Sequence, residues 1–164
     1  MSQTLTVGDS VIDFVLNGVD GAEYRSAEAR KNGLFLFVIW KKGCGTCRYT
    51  FPYLQRFHDA YAGETFAVWG LSQDTAEETR DFVREYGANF PQLIDSNLTV
   101  TETYYLTTVP SIYLVDRSDT ILRHAPAFIA DELNAMSQLI SERTGKPYVP
   151  IVRPEDNAPA LKPG

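Results

Sequence analysis

Seven apolar residues in succession, Leu34 to Trp40, stand out in a chain whose other apolar positions come in short, spaced groups. An uncharged run of that length reads as a strand buried on both faces, and it is far too short to span a bilayer. Downstream, Leu54, Phe57 and Tyr61 recur at i, i+3 and i+7, which predicts a helix from Cys44 to about Ala62, stopped by Gly63. Pro52 lies inside that span and is expected to kink it.

The same reading extends to both sides. Val11–Phe14 and Ala22–Arg25 predict a hairpin around Gly18-Val19-Asp20-Gly21, and Ser26–Lys31 a short helical turn. Phe66–Ser72 reads as the next strand. Asp74-Thr75-Ala76-Glu77 then supplies an N-cap and an acid at N3 for a helix running to Gly87, with Phe82, Val83 and Tyr86 inward. Phe90–Asp95 follows as an extended segment and Val100–Leu106 as a short helix. Ile112–Val115 and Thr120–Arg123 read as an antiparallel pair turning at Arg117-Ser118-Asp119. Ala130–Thr144 is a closing helix with Leu133, Met136 and Ile140 on one face. Residues 146–164 are proline-rich and aperiodic; Tyr148, Val149, Ile151 and Val152 are expected to dock on the body, with Pro154 onward loose. Such an arm has the length to reach a second subunit, so a monomer or a weak homodimer is expected. The division is therefore a domain over 1–145 and a tail over 146–164.

Composition narrows the field of functions. With 164 residues and 44% apolar content the chain is long enough to bury one substantial core. A net charge of −6 argues against a nucleic-acid or anionic-membrane partner. The first seven residues carry neither a cationic patch nor an apolar core of a signal, so a cytoplasmic location is expected.

Chemistry is concentrated where the apolar run ends. Cys44 and Cys47, the only cysteines, follow Trp40-Lys41-Lys42-Gly43 directly. If the helix begins near Cys44, its unpaired first-turn N–H groups and dipole favour thiolate on that sulfur. Lys41, Lys42 and Arg48 flank the pair, and no aspartate or glutamate occurs from Lys31 through His58, which predicts a local positive island. Gly43 and Gly45 leave Cys44 open to an incoming disulfide, whereas Cys47, one turn in, is expected to be shielded. Cys44 is thus the expected nucleophile and Cys47 the resolving thiol.

Cys44-Gly45-Thr46-Cys47-Arg48 followed by Phe51-Pro52 resembles the C-x-x-C-R-x-x-F-P of TlpA/ResA-type thiol–disulfide oxidoreductases, in the redoxin branch of the thioredoxin-like superfamily. Val109-Pro110-Ser111 before an apolar strand is similar to that family's Val-Pro-Thr segment, whose proline is cis and packs against the disulfide. The resemblance implies an α/β thioredoxin-like fold: a central mixed sheet flanked by helices, a leading hairpin and a strand–helix insertion. It further implies dithiol–disulfide exchange with protein or small-molecule disulfides, a protein electron donor and no bound cofactor, with Trp40, Gly43, Val109 and Pro110 shaping the substrate groove. Two departures stand out. Val38 and Thr50 occupy positions where relatives carry a carboxylate as proton acceptor for the second thiol, and Thr46 replaces a common proline.

Other classes fit less well. A peroxiredoxin-like peroxidase would carry P-x-x-x-T-x-x-C, but Trp40 and Cys44 precede Cys47 in those places, and Phe37 and Lys41 precede Cys44. A zinc module on Cys44, Cys47, His58 and His124 would need His58 at the first helical turn, yet it lies about 16 Å down the helix. Haem attachment would require histidine where Arg48 stands. A redox-inactive structural module is at odds with retention of both thiols, the cations and Pro110.

Overall fold

The structure, a computed structural model, describes residues 2–164. Its frame is a five-stranded mixed sheet in the order β5-β4-β3-β6-β7, formed by β3 (Leu34–Trp40), β4 (Phe66–Ser72), β5 (Gln92–Ile94), β6 (Ser111–Val115) and β7 (Arg123–Ala125). The β3, β4 and β5 strands run parallel, while β6 pairs antiparallel with β3 and β7 antiparallel with β6. Every residue of β3 is buried. Side chains alternate across a strand, so the two faces of β3 serve two half-cores. Phe37 packs in an aromatic cluster with Phe14, Tyr104 and Tyr113, and Trp40 on the opposite face meets Phe51 and Phe82.

Among the described residues, five helices flank this sheet: α1 (Ser26–Lys31), α2 (Gly45–Tyr61), α3 (Ala76–Tyr86), α4 (Thr99–Thr103) and α5 (Ala130–Thr144). Leu54, Phe57 and Tyr61 of α2 and Leu133, Met136 and Ile140 of α5 are buried, as their spacing predicts. The α3 cap sits one residue later than expected. Thr75 and Glu78 form the capping box because Asp74 is turned to the Lys42 N–H. Tyr86, expected inward, is exposed and stacks on the outer side of Phe82.

Two strands are displaced from their predicted positions for one reason, long-range pairing. The leading hairpin is β1 (Val15–Asn17) against β2 (Glu23–Arg25), because Val11 and Ile12 are taken by Asp119 and the Tyr104 hydroxyl. Likewise Thr120 and Ile121 pair with Ser10 and Asp9, which leaves Arg123–Ala125 to form β7. The closing segment also differs from expectation. Ile151 is fully buried and Val149 and Val152 half-buried, but Tyr148 is exposed, and the residues from Pro154 on are built into the body. They form a 3₁₀ turn (Pro154–Asp156) and β9 (Leu161–Lys162), which pairs antiparallel with β8 (Phe128–Ile129). Among the described residues, no helix is long and apolar enough to cross a membrane.

Candidate functional site

The β3 strand delivers its C-terminal end to the start of α2, and Cys44 is the residue at the junction. Its backbone is extended (φ −96°, ψ 115°), and its Sγ accepts the Cys47 N–H at 3.1 Å. A sulfur thus fills the place usually held by a serine, threonine or aspartate oxygen at a helix start. In the thiol form the same atom donates to the Val109 carbonyl at 3.4 Å. The Val109–Pro110 peptide is cis, as the family resemblance implies.

The two thiols are unlinked and differ in access. Cys44 retains 8% of its surface and Cys47 only 1%, so a reagent arriving from solvent meets Cys44. Burial, followed by the neighbouring Cys44 sulfur, pushes the Cys47 thiol well above the usual thiol range, against an opposing Lys41 backbone N–H. Cys47 is therefore held protonated beside its partner. No carboxylate replaces the missing family acceptor at positions 38 and 50: Val38 is buried in β3, and the Thr50 hydroxyl donates to Thr46 O at 2.7 Å.

The flanking cations are arranged differently from the expected island. The Lys42 ammonium pairs with the Glu78 carboxylate, which raises its pKa, and its N–H donates to Asp74 at 2.7 Å. Carboxylates distant in sequence thus return to the site, Glu78 on α3 and Asp74 just before its cap. Arg48 donates to Lys42 O at 2.8 Å and braces the loop, leaving Lys41 as the cation at the rim of the groove beside Cys44. Trp40, expected to shape the substrate groove, is placed in the core instead. It is fully buried, and its indole N–H donates to the Gln92 side chain at 3.0 Å. Gly70 makes this possible, since a Cβ there would fall 2.0 Å from Gln92 Oε1.

Gly43 and Val109 line an open groove of about 520 Å³ with Cys44 at its floor; Pro110 is buried behind Val109. Gln73, Thr101, Leu106, Thr107 and Gly164 also line it, and none was marked by spacing or motif. His58 and His124 lie apart from the cysteines, against Phe90 and Ser111 respectively. Among the described residues, no cluster of three or more histidine, cysteine or acidic side chains is placed to hold a metal.

A mixed sheet carrying a C-x-x-C pair at a strand–helix junction, opposite a cis-proline loop, defines a thioredoxin-like redox protein. Comparison with known proteins places it more closely. The AhpC/TSA family profile matches residues 7–125, and the chain belongs to that family. It is 23% identical over 121 residues to the thiol-disulfide oxidoreductase ResA of Bacillus anthracis, a match covering 73% of this chain and 69% of the relative. The ResA of Geobacillus thermodenitrificans is 25% identical over 118 residues, covering 71% and 67%. Among solved structures, the thioredoxin domain of a thiol-disulfide oxidoreductase from Bacteroides vulgatus superposes with a TM-score of 0.74 at 23% identity, over 84% of this chain and 99% of that one. A thiol:disulfide interchange protein from Bacteroides sp. gives 0.73 at 22% identity, over 85% and 93%.

Proposed function

We propose that this chain carries out two-electron thiol–disulfide exchange through Cys44 and Cys47. The observation that carries the reading is the asymmetry of the pair: Cys44 caps α2 at the floor of a groove, and Cys47 is buried behind it. The Cys44 thiolate attacks one sulfur of a substrate disulfide; a Cys44–substrate bond forms, and the other substrate sulfur leaves as thiolate and takes a proton from solvent. Cys47 then loses its proton and attacks Cys44 Sγ, releasing the second substrate thiol and leaving a Cys44–Cys47 disulfide. The substrate is reduced by two electrons and the protein oxidised by two. A dithiol donor, small or protein-borne, restores the pair by the same steps in reverse.

The raised pKa of Cys47 gives the sequence its order. A thiol that stays protonated does not compete for substrate, and it becomes a nucleophile only where its proton finds an acceptor. The decisive experiment incubates Cys47→Ser and Cys44→Ser with an excess of a small disulfide and weighs the products. Cys47→Ser is expected to accumulate a stable mixed disulfide on Cys44, and Cys44→Ser to remain largely unmodified. Equal modification of both variants would end this assignment of roles.

A further inference from the structure

The last five residues do not trail from the body; they cross the site. Ala130 N–H donates to Ala160 O at 3.0 Å, and β9 pairs with β8, which has no other partner strand among the described residues. The Lys162 ammonium lies 5.7 Å above the Tyr49 ring on α2. Next, the Thr46 hydroxyl, inside the C-x-x-C motif, donates to Pro163 O at 2.5 Å. Finally Gly164 rests on the Val109 carbonyl: a Cβ at position 164 would lie 2.1 Å from that oxygen. This is the same carbonyl that accepts from Cys44 Sγ.

We propose that residues Ala160–Gly164 are a specificity strap that reserves the groove for low-molecular-weight disulfides and excludes extended polypeptide ones. The inference rests on the exchange reading above and names its substrate class. An extended polypeptide docks by pairing its backbone with exposed backbone groups, and beside Cys44 the Val109 carbonyl is such a group. The strap, anchored on β8, sets Gly164 against that carbonyl. The gap over Val109 admits not even a methyl group on Gly164, so no second chain fits between them. What stays open is the groove of about 520 Å³, a size that suits a small molecule. The strap lies outside residues 7–125, the stretch matched by the family profile.

The anchors are few and lie at the periphery of the core, so the segment is removable without touching the buried contacts of Ile151 or the Arg56–Asp156 pair. The test compares the full chain with a variant ending at Ala158 and with Gly164→Val. Each is assayed on bis(2-hydroxyethyl) disulfide and on an unstructured peptide closed by one disulfide. In both variants the ratio of peptide to small-disulfide kcat/KM is expected to rise about tenfold. An unchanged ratio overturns the strap. If none of the three proteins reduces either substrate, the exchange reading fails, and the strap is judged separately by Cys44 alkylation. Truncation is then expected to accelerate labelling by a polymer-linked maleimide and not by iodoacetamide; equal acceleration of both refutes it.

Discussion

Strand β3 and the closing segment Pro147–Gly164 are both held against α2, by opposite means. Each β3 side chain is buried and apolar, and burying one such side chain is worth roughly 1.5–3 kcal/mol wherever the neighbours are close-packed. The closing segment has one fully buried apolar side chain, Ile151, and is otherwise fastened by directed polar contacts. Tyr61 Oη accepts the Val149 N–H at 2.9 Å, and Asn134 Oδ1 accepts those of Ile151 and Val152 at 2.8 and 2.9 Å. Arg56 donates to Ile151 O at 2.8 Å and forks onto Asp156 at 2.6 and 3.0 Å. Burial fixes the frame that aims Cys44; point anchors place a segment over it that local opening can lift.

The contrast breaks most sharply on Phe37. Truncation to alanine removes a ring from the cluster with Phe14, Tyr104 and Tyr113, and is expected to cost about 3–5 kcal/mol in denaturant unfolding. A loss below about 1 kcal/mol would mean the frame is not close-packed there. Asn134→Ala addresses the other region. It strips the Ile151 and Val152 N–H groups of their acceptor, a cost of about 1–3 kcal/mol if they stay buried. Because the segment can open and let water in, the expected signature is faster proteolysis within residues 147–159, with a smaller shift of global unfolding than Phe37→Ala produces. A global loss as large as that of Phe37→Ala would make the segment part of the cooperative core.

The same difference explains what was legible in the sequence. The β3, β4, α1 and α5 boundaries coincide with their predicted ones, because runs and 3.6-residue spacing are local statements about burial. Cys44, Cys47 and Pro110 were legible through motif spacing. Trp40 is not resolved by the sequence, because an aromatic before a motif looks alike whether it faces a groove or a core; the Gln92 partner that settles it is 52 positions away. In the sequence Lys42 reads as part of a positive island, because Glu78 joins it only through the fold. The strap was invisible for the same reason. Thr46 and Pro163 meet across 117 positions through one hydroxyl, and nothing periodic announces a single hydrogen bond.

Acid separates the two regions by a smaller margin, and in a definite order. On β7, His124 stacks on Tyr113 at 4.2 Å, with its ring nitrogens at the Ser111 and Thr6 hydroxyls, and burial lowers its pKa from 6.5 to about 4. Between those values the unfolded chain binds a proton that the folded one refuses. The neutral histidine's contribution is thus intact above pH 6.5 and lost as the pH falls toward about 4. Discounted for partial exposure, the loss is about 1–2 kcal/mol. In the closing segment the Arg56 guanidinium holds Asp156 down at about 2, so that carboxylate's contribution is intact above its unfolded value of 3.8 and falls away only as the pH drops through about 2. Lowering the pH from 6.5 to about 4.5 is therefore expected to weaken the frame while the Arg56–Asp156 clamp holds. Thermal unfolding of the wild type and His124→Gln over this window checks the first half, the variant's pH dependence being the flatter. Proteolysis of residues 147–159 at the same pH values checks the second. Parallel curves for the two proteins, or cleavage of the segment before the frame softens, would reverse the order in which acid acts on the two regions.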